Sequence, residues 1–169
     1  MHRLTLIAAA FAATCTIASA QELLITGQVQ RVILQPSGTS DCPAPCPALA
    51  TMHPDGSQTI CISNGGGCQS MEVKVDRVYR GTTTEPIRQF KSRIGEWGPS
   101  FPVTDKQIVV SEEAGQVSWS LVTLKDGKIH IDPTRLRSIG GIPTAADGES
   151  GLVELDAVLA RSSLNNEMR

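Results

Sequence analysis

The sequence predicts a mainly β fold, a small barrel of about five strands followed by one C-terminal helix. Three observations lead to this prediction. Apolar and polar residues alternate along several segments, most clearly from Leu23 to Leu34 and from Ser70 to Arg80, and this period is typical of half-buried strands. Turn-forming residues separate the segments, and Asp126-Gly127 is a strong hairpin signal. One segment near the C-terminus instead has apolar residues at helical spacing.

Each of the two clearest strands contains an expected irregularity. The first strand passes through Gly27, where we expect a bend or a β-bulge. In the second strand Met71 and Val73 share one face, and the alternation changes phase at Val78, which indicates a second bulge. Bulges of this kind bend and twist a strand, as a small barrel requires.

The remaining elements are shorter. We expect strands at residues 87–94, 107–111, 117–124 and 128–131, mostly loop at 134–146, and a helix at 151–161 that packs on the sheet or closes one end of the barrel. Residues 35–47 contain four prolines and a glycine and cannot form regular structure. The strand count, the bends and the terminal helix favour an OB-like barrel. Residues 21–161 would form this single domain, and residues 162–169 a flexible tail.

The first twenty residues have the pattern of a secretory signal peptide. A basic start at Arg3 precedes an apolar run from Leu4 to Ala13, and Ala18-Ser19-Ala20 is a small-residue cleavage site. We therefore predict cleavage after residue 20, export to the periplasm or the medium, and no membrane span. Loss of Arg3 leaves 14 basic and 17 acidic side chains, a formal charge of −3, which gives no general attraction to nucleic acid or anionic membranes.

Four cysteines remain after the signal peptide, namely Cys42, Cys46, Cys61 and Cys68. An even number in an exported chain predicts two disulfides, with three possible pairings. A four-thiolate zinc site is the alternative, but it usually has tight C-x-x-C pairs and needs reduced ligands. We expect the disulfides to staple the long excursion at residues 36–69 between the first two long strands.

Two stretches resemble the netrin-type OB-fold domain that tissue inhibitors of metalloproteinases share with netrin C-terminal modules. The stretches are residues 73–81, ending in Tyr79-Arg80-Gly81, and residues 121–131, which pass through the Asp126-Gly127 turn. The resemblance implies a netrin-like OB-fold over roughly residues 23 to 135 and a secreted setting. It does not carry over the inhibitory N-terminal cysteine, because the predicted mature chain starts at Gln21 and has no cysteine before Cys42.

Catalytic and metal-binding patterns are missing from the sequence. His53 and His130 belong to no H-x-x-x-H pair or carboxylate cluster, and no nucleophile elbow or phosphate loop occurs. Glu112 and Glu113 are adjacent in a predicted strand end, so their side chains should point apart. We therefore expect no catalytic residues, no metal and no cofactor, and we predict a protein that is not an enzyme.

A binding surface is the remaining functional prediction. Basic residues are concentrated between positions 74 and 93, and we name Arg88, Lys91 and Arg93 as candidate partner contacts. Trp97 and Phe101 lie in a Gly/Pro-rich loop at 95–102 and are candidate exposed contacts. We predict an exported, non-enzymatic interaction module that contacts an unknown protein at or outside the cell envelope. The alternatives are a metalloproteinase inhibitor with a non-standard wedge and an oligosaccharide-binding or nucleic-acid-binding OB barrel, of which nucleic acid is the less favoured ligand.

Overall fold

A computed structural model of the chain describes residues 22–44, 46, 51–59, 61, 66–94, 100–145 and 151–167. The predicted signal peptide at residues 1–20 lies outside these ranges. Within them the chain forms twelve strands and one helix, so the predicted mainly β class is confirmed. The strands are β1 (Leu23–Gln35), β2 (Thr51–Met52), β3 (Gln58–Thr59), β4 (Cys68–Arg80), β5 (Ile87–Arg93), β6 (Gln107–Glu113), β7 (Gln116–Leu121), β8 (Thr123–Lys125), β9 (Lys128–Ile131), β10 (Ser138–Ile139), β11 (Ile142–Pro143) and β12 (Val153–Glu154), and the helix is α1 (Leu155–Glu167).

The main sheet has five antiparallel strands in the order β5-β4-β1-β6-β7. The long first strand is therefore central, with β4 on one side and β6 on the other. The two edge strands β5 and β7 contact each other but share no hydrogen-bonded ladder. The sheet is strongly curved, and it is not closed into the barrel that the sequence predicts.

The two predicted irregularities are present in the pairing of β1 with β4. The register shifts between Thr26 and Gly27, and again where Leu24 faces Arg80 and Ile25 faces Val78. Gly27 is required by a close backbone approach, because a Cβ atom there would clash with the carbonyl oxygen of Lys74. Register shifts of this kind increase the local twist and bend the paired strands, so β1 and β4 curve together.

Both faces of the sheet are covered near the start of β1. The concave face holds one apolar core, to which β1, β4, β5, β6 and β7 contribute together with one loop residue. Its buried members are Leu23, Ile25, Met71, Val73, Phe90, Phe101, Ile108, Val110 and Trp119. Burying each of the larger side chains stabilises the fold by about 1.5–3 kcal/mol, so this core is the main support of the sheet.

The convex face packs against the C-terminal third of the chain. Leu24 of β1 and Val109 of β6 contact residues from β9 to α1, and this second core contains Leu24, Val109, Ile131, Leu136, Ile139, Val153, Leu155 and Val158. This double coverage explains why Leu23 to Gly27 are all buried. Helix α1 starts later and ends later than predicted, so residues 162–167, expected in a flexible tail, are helical.

Two tight turns organise the C-terminal third. The predicted Asp126-Gly127 turn joins β8 to β9, and both of its residues have positive φ angles, 52° and 74°. A second hairpin, β10 and β11, lies in the segment expected to be mostly loop, and it turns through Gly140 and Gly141. The short β12 pairs with β9 and leads into α1, which places the helix against the second core.

The two predicted disulfides pair Cys42 with Cys68 and Cys46 with Cys61. The arrangement is nested: the outer bridge ties the excursion to the first residue of β4, and the inner bridge closes a smaller loop around the β2–β3 hairpin. Cys42 is completely buried, whereas Cys61 is exposed. We call the described residues between β1 and β4 the stapled loop.

Candidate binding surface

Strand β5 separates the basic residues predicted as partner contacts into two groups. Its burial alternates, with Arg88, Phe90 and Ser92 on the inner side and the intervening residues exposed. The guanidinium of Arg88 lies 3.4 Å from a carboxylate oxygen of Glu112 and 3.6 Å from one of Glu85. Arg88 is therefore neutralised by two carboxylates at the concave side of the sheet and is a poor candidate for attracting a charged partner.

Lys91 and Arg93 lie on the outer side of β5 and are exposed. The register of β4 with β5 puts Lys74 on the same side, since Lys74 faces Ile87 and alternate residues share a face. Among the described residues these three cations have no ion-pair partner. We call Lys74, Lys91, Arg93 and the adjoining Arg31–Glu72 pair the basic face.

Arg31 and Glu72 face each other across the β1–β4 ladder at the border of the basic face. Nη2 of Arg31 donates a hydrogen bond of 2.5 Å to Oε1 of Glu72. This hydrogen bond, and then the charge of Glu72, raise the pKa of Arg31 above its ordinary value. Arg31 and Glu72 neutralise each other, so Lys74, Lys91 and Arg93 give the basic face a surplus of positive charge. The chain as a whole has a formal net charge of −2.

The basic face is physically joined to the stapled loop. Arg93 pairs with Cys68, and the disulfide partner of Cys68 is Cys42. The next residue, Pro43, therefore lies beside Arg93, and its carbonyl oxygen accepts a hydrogen bond of 2.6 Å from Nη2 of Arg93. Residues that the sequence assigns to a strand and to a loop thus form one continuous surface.

The prediction that Phe101 is an exposed contact is wrong. Its side chain is only 5% exposed and belongs to the concave core. The backbone N–H of Phe101 donates a hydrogen bond of 2.7 Å to Oε1 of the buried Gln69, which fixes Phe101 beside β4. Trp97, the other aromatic residue predicted as a contact, lies outside the described residues.

The possible catalytic residues are dispersed. The Glu112 carboxylate turns to Arg88, whereas the Glu113 carboxylate accepts hydrogen bonds from the backbone N–H groups of Gly140 and Gly141. The adjacent carboxylates therefore point apart, as predicted. Within the described ranges no three His, Cys, Asp or Glu side chains are close enough together to hold a metal ion.

A groove beside β1 is a feature that the sequence analysis missed. Strand β1 pairs with β4 as far as Gln35, but it pairs with β6 only from Leu23 to Gln28. Beyond that point a groove of about 470 Å³ separates residues 29–32 from residues 103–105. The sequence does contain a signal for it, because the predicted strands at 23–34 and 70–80 are long and the one at 107–111 is short. A long strand that pairs with the short one must leave part of its own edge unpaired.

Comparisons of the chain with protein family models, with curated proteins and with solved structures found no match. The described part of the chain contains no helix of the length and apolar character needed to cross a membrane.

Proposed function

We propose that this protein is an exported, non-enzymatic binding module whose basic face contacts an acidic surface of another protein. The observation that carries the proposal is the hydrogen bond from Arg93 to Pro43, because it joins three unpaired cations to the stapled loop in one surface. Two disulfides support an oxidising compartment. The signal-peptide pattern of the first twenty residues supports export to such a compartment.

The strand order supports an open OB-type barrel as the scaffold. The first long strand is flanked by the second and the fourth, and the third and fifth strands of the sheet approach each other at its edges. The OB-fold is a five-stranded, partly open Greek-key barrel that binds ligands on the face of its second and third strands. Those strands correspond to β4 and β5, which carry the basic face.

The same correspondence favours a second candidate, an anionic oligosaccharide or single-stranded nucleic acid. Such ligands are usually bound by aromatic side chains stacked on sugars or bases together with a basic groove. Among the described residues the basic face has no exposed aromatic ring, since Phe90 is buried in the concave core. A protein partner therefore remains the preferred proposal.

Charge reversal on the basic face tests the proposal. The oxidised mature domain is used to capture cross-linked proteins from the envelope and culture fluid of the source organism, and K74E/K91E is compared with K125E/R137E. Both double variants change the charge equally, and Lys125 and Arg137 lie outside the basic face. We expect K74E/K91E to reduce the captured partner about tenfold, which corresponds to about 1.4 kcal/mol, and the control to have little effect.

Two other outcomes would contradict the proposal. Equal loss in both double variants would indicate attraction to net charge rather than to this surface. Tight binding of a sulfated oligosaccharide or of oligothymidylate, with no protein captured at any salt concentration, would favour the second candidate.

A further inference from the structure

The unpaired edge of β1 has the chemistry of a site for another strand. Each non-proline residue of a strand carries one backbone donor and one acceptor, and every second residue directs both to the same neighbouring side. Residues 29–35 have no strand on the side where β6 would continue, as far as the described residues extend. An alternating row of N–H and C=O groups is matched by one kind of ligand, an extended polypeptide backbone.

The groove exists because the chain turns away from β1 just before β6. The Oγ1 atom of Thr104 accepts a hydrogen bond of 3.1 Å from the backbone N–H of Lys106, which bends this segment. Strand β6 begins only at Gln107, which faces Gln28. Residues 103–105 therefore form the opposite wall of the groove and do not pair with β1.

The edge is regular enough to template a strand. A bulge at Gln30 ends the irregular part of β1, and from Arg31 to Gln35 five consecutive residues pair with β4 in uninterrupted register. Charged residues often guard exposed edges; Arg31 lines the groove, but its guanidinium is paired with Glu72 on β4. Strand β4 pairs with β5 only as far as Lys74, and its unpaired continuation differs because it carries the exposed Asp76 and Arg77.

The side chains around the groove specify the chemistry of its ligand. Of the groove residues, Val103 is 90% exposed and Val32 is half-buried against the concave core. Leu34, farther along the same edge of β1, is 67% exposed. These residues favour apolar side chains at alternate positions of an added strand. Asp105 lines the groove, is exposed, and has no ion-pair partner among the described residues, so a basic residue beside it would be favourable.

We propose that the β1 edge binds an extended segment of another polypeptide by strand addition, with apolar residues at alternate positions and a Lys or Arg beside Asp105. This inference rests on the proposed function, because it identifies the kind of segment that a protein partner would supply. It uses a different surface from the basic face.

Selection from a phage-displayed library of random nonapeptides on the full-length oxidised mature domain tests the inference. We expect selected peptides to alternate apolar residues and to end in Lys or Arg. Their affinity should fall about tenfold for V103K and be unchanged for L124K, a matched control at another exposed apolar residue. D105N should remove the preference for the basic end.

Backbone methylation separates strand addition from simple apolar binding. Two versions of a selected peptide are N-methylated at alternate residues of opposite parity, so that each loses the donors of one edge. We expect one version to bind and the other to fail, since only one edge of an added strand contacts β1. Equal binding by both versions, equal sensitivity to V103K and L124K, or no enrichment over a V103K domain would overturn the inference.

The result is independent of the capture experiment. Partner capture that depends on the basic face, without any selected peptide, would overturn only strand addition. Selected peptides that depend on Val103, without capture through Lys74 and Lys91, would overturn the basic face as the contact surface.

Discussion

Asp132 organises the turn that follows β9 through a few short hydrogen bonds. Its Oδ1 atom accepts hydrogen bonds from the hydroxyl and the backbone N–H of Thr134, at 2.7 and 2.9 Å. Its own backbone N–H donates to the hydroxyl of the buried Ser120, at 2.8 Å. The turn therefore connects the main sheet to the second core.

These contacts give a pH-dependent contribution to stability. The hydrogen bond from the Thr134 side chain, followed by that from its backbone, lowers the pKa of Asp132. A carboxyl whose pKa is lower in the folded state stabilises the fold above its unfolded pKa, and this contribution is lost as the pH falls through the folded pKa. We expect D132N to destabilise the protein at pH 7 by about 1 kcal/mol, and by progressively less as the pH falls below the ordinary pKa of an aspartate.

Urea unfolding of D132N at a series of pH values measures this difference. D105N is the control, because Asp105 accepts no comparable turn hydrogen bonds among the described residues, and we expect it to change the unfolding free energy by less than about 0.5 kcal/mol. A cost for D132N that is the same at pH 7 and at low pH would contradict the assignment.

At the residue scale the sequence predicts side-chain direction where alternation is regular. It separates Lys91 from Arg88 on β5, and the structure places them on opposite sides. It fails for Phe101, because a loop rich in glycine and proline gives no periodicity from which burial could be read. The buried Gln69 that holds Phe101 is 32 positions away in the chain, and no local pattern relates the two residues.

At the scale of elements the two disulfides contribute different amounts of stability to the stapled loop. The Cys42–Cys68 bridge spans 26 positions and buries Cys42, whereas the Cys46–Cys61 bridge spans 15 positions and exposes Cys61. The longer bridge removes more conformational freedom from the unfolded chain. It also positions Pro43 beside Arg93, so it links stability to the proposed contact surface.

Removal of each bridge tests this difference. We expect C42A/C68A to lower the unfolding free energy by about 3–4 kcal/mol and C46A/C61A by about 2–3 kcal/mol, measured by urea unfolding. Only the first variant should also weaken partner capture, since it releases Pro43 from the basic face. A larger loss of stability from C46A/C61A, or undiminished capture by C42A/C68A, would contradict this account.

The sequence predicts most of the longer elements because hydrophobic alternation and turn residues are local signals. It leaves the disulfide pairing open, since four cysteines within a short stretch are compatible with three arrangements. It also misses the β10–β11 hairpin, whose strands have only two residues each. That hairpin is held by Glu113, which lies 27 positions before Gly140.

At the scale of the whole molecule the sheet combines a closed core with open edges. The concave core is sealed by residues from every strand of the main sheet, while the edge strands β5 and β7 meet without pairing. The sequence predicts the number of long strands, but the sheet does not close into the barrel that it also predicts. Closure depends on the summed curvature of all strands, and no single segment determines it.

The two proposed surfaces follow from this architecture. The second core occupies the convex side at the start of β1, and the outer sides of β4 and β5 beyond it remain exposed. The basic face forms on that exposed part, and the β1 groove lies where β6 is too short to follow β1. One scaffold therefore displays a charged surface and a strand edge.

Site-specific photocrosslinking tests the central claim most directly. A photoreactive residue is placed at position 91 on the basic face and, as a control, at position 125 on β8, and the protein is irradiated in intact cells of the source organism. We predict a cross-link to one discrete protein from position 91, diminished by K74E, and none from position 125. Cross-links from position 125 alone, or an equal and diffuse pattern from both positions, would contradict the assignment of the basic face as the partner-binding surface.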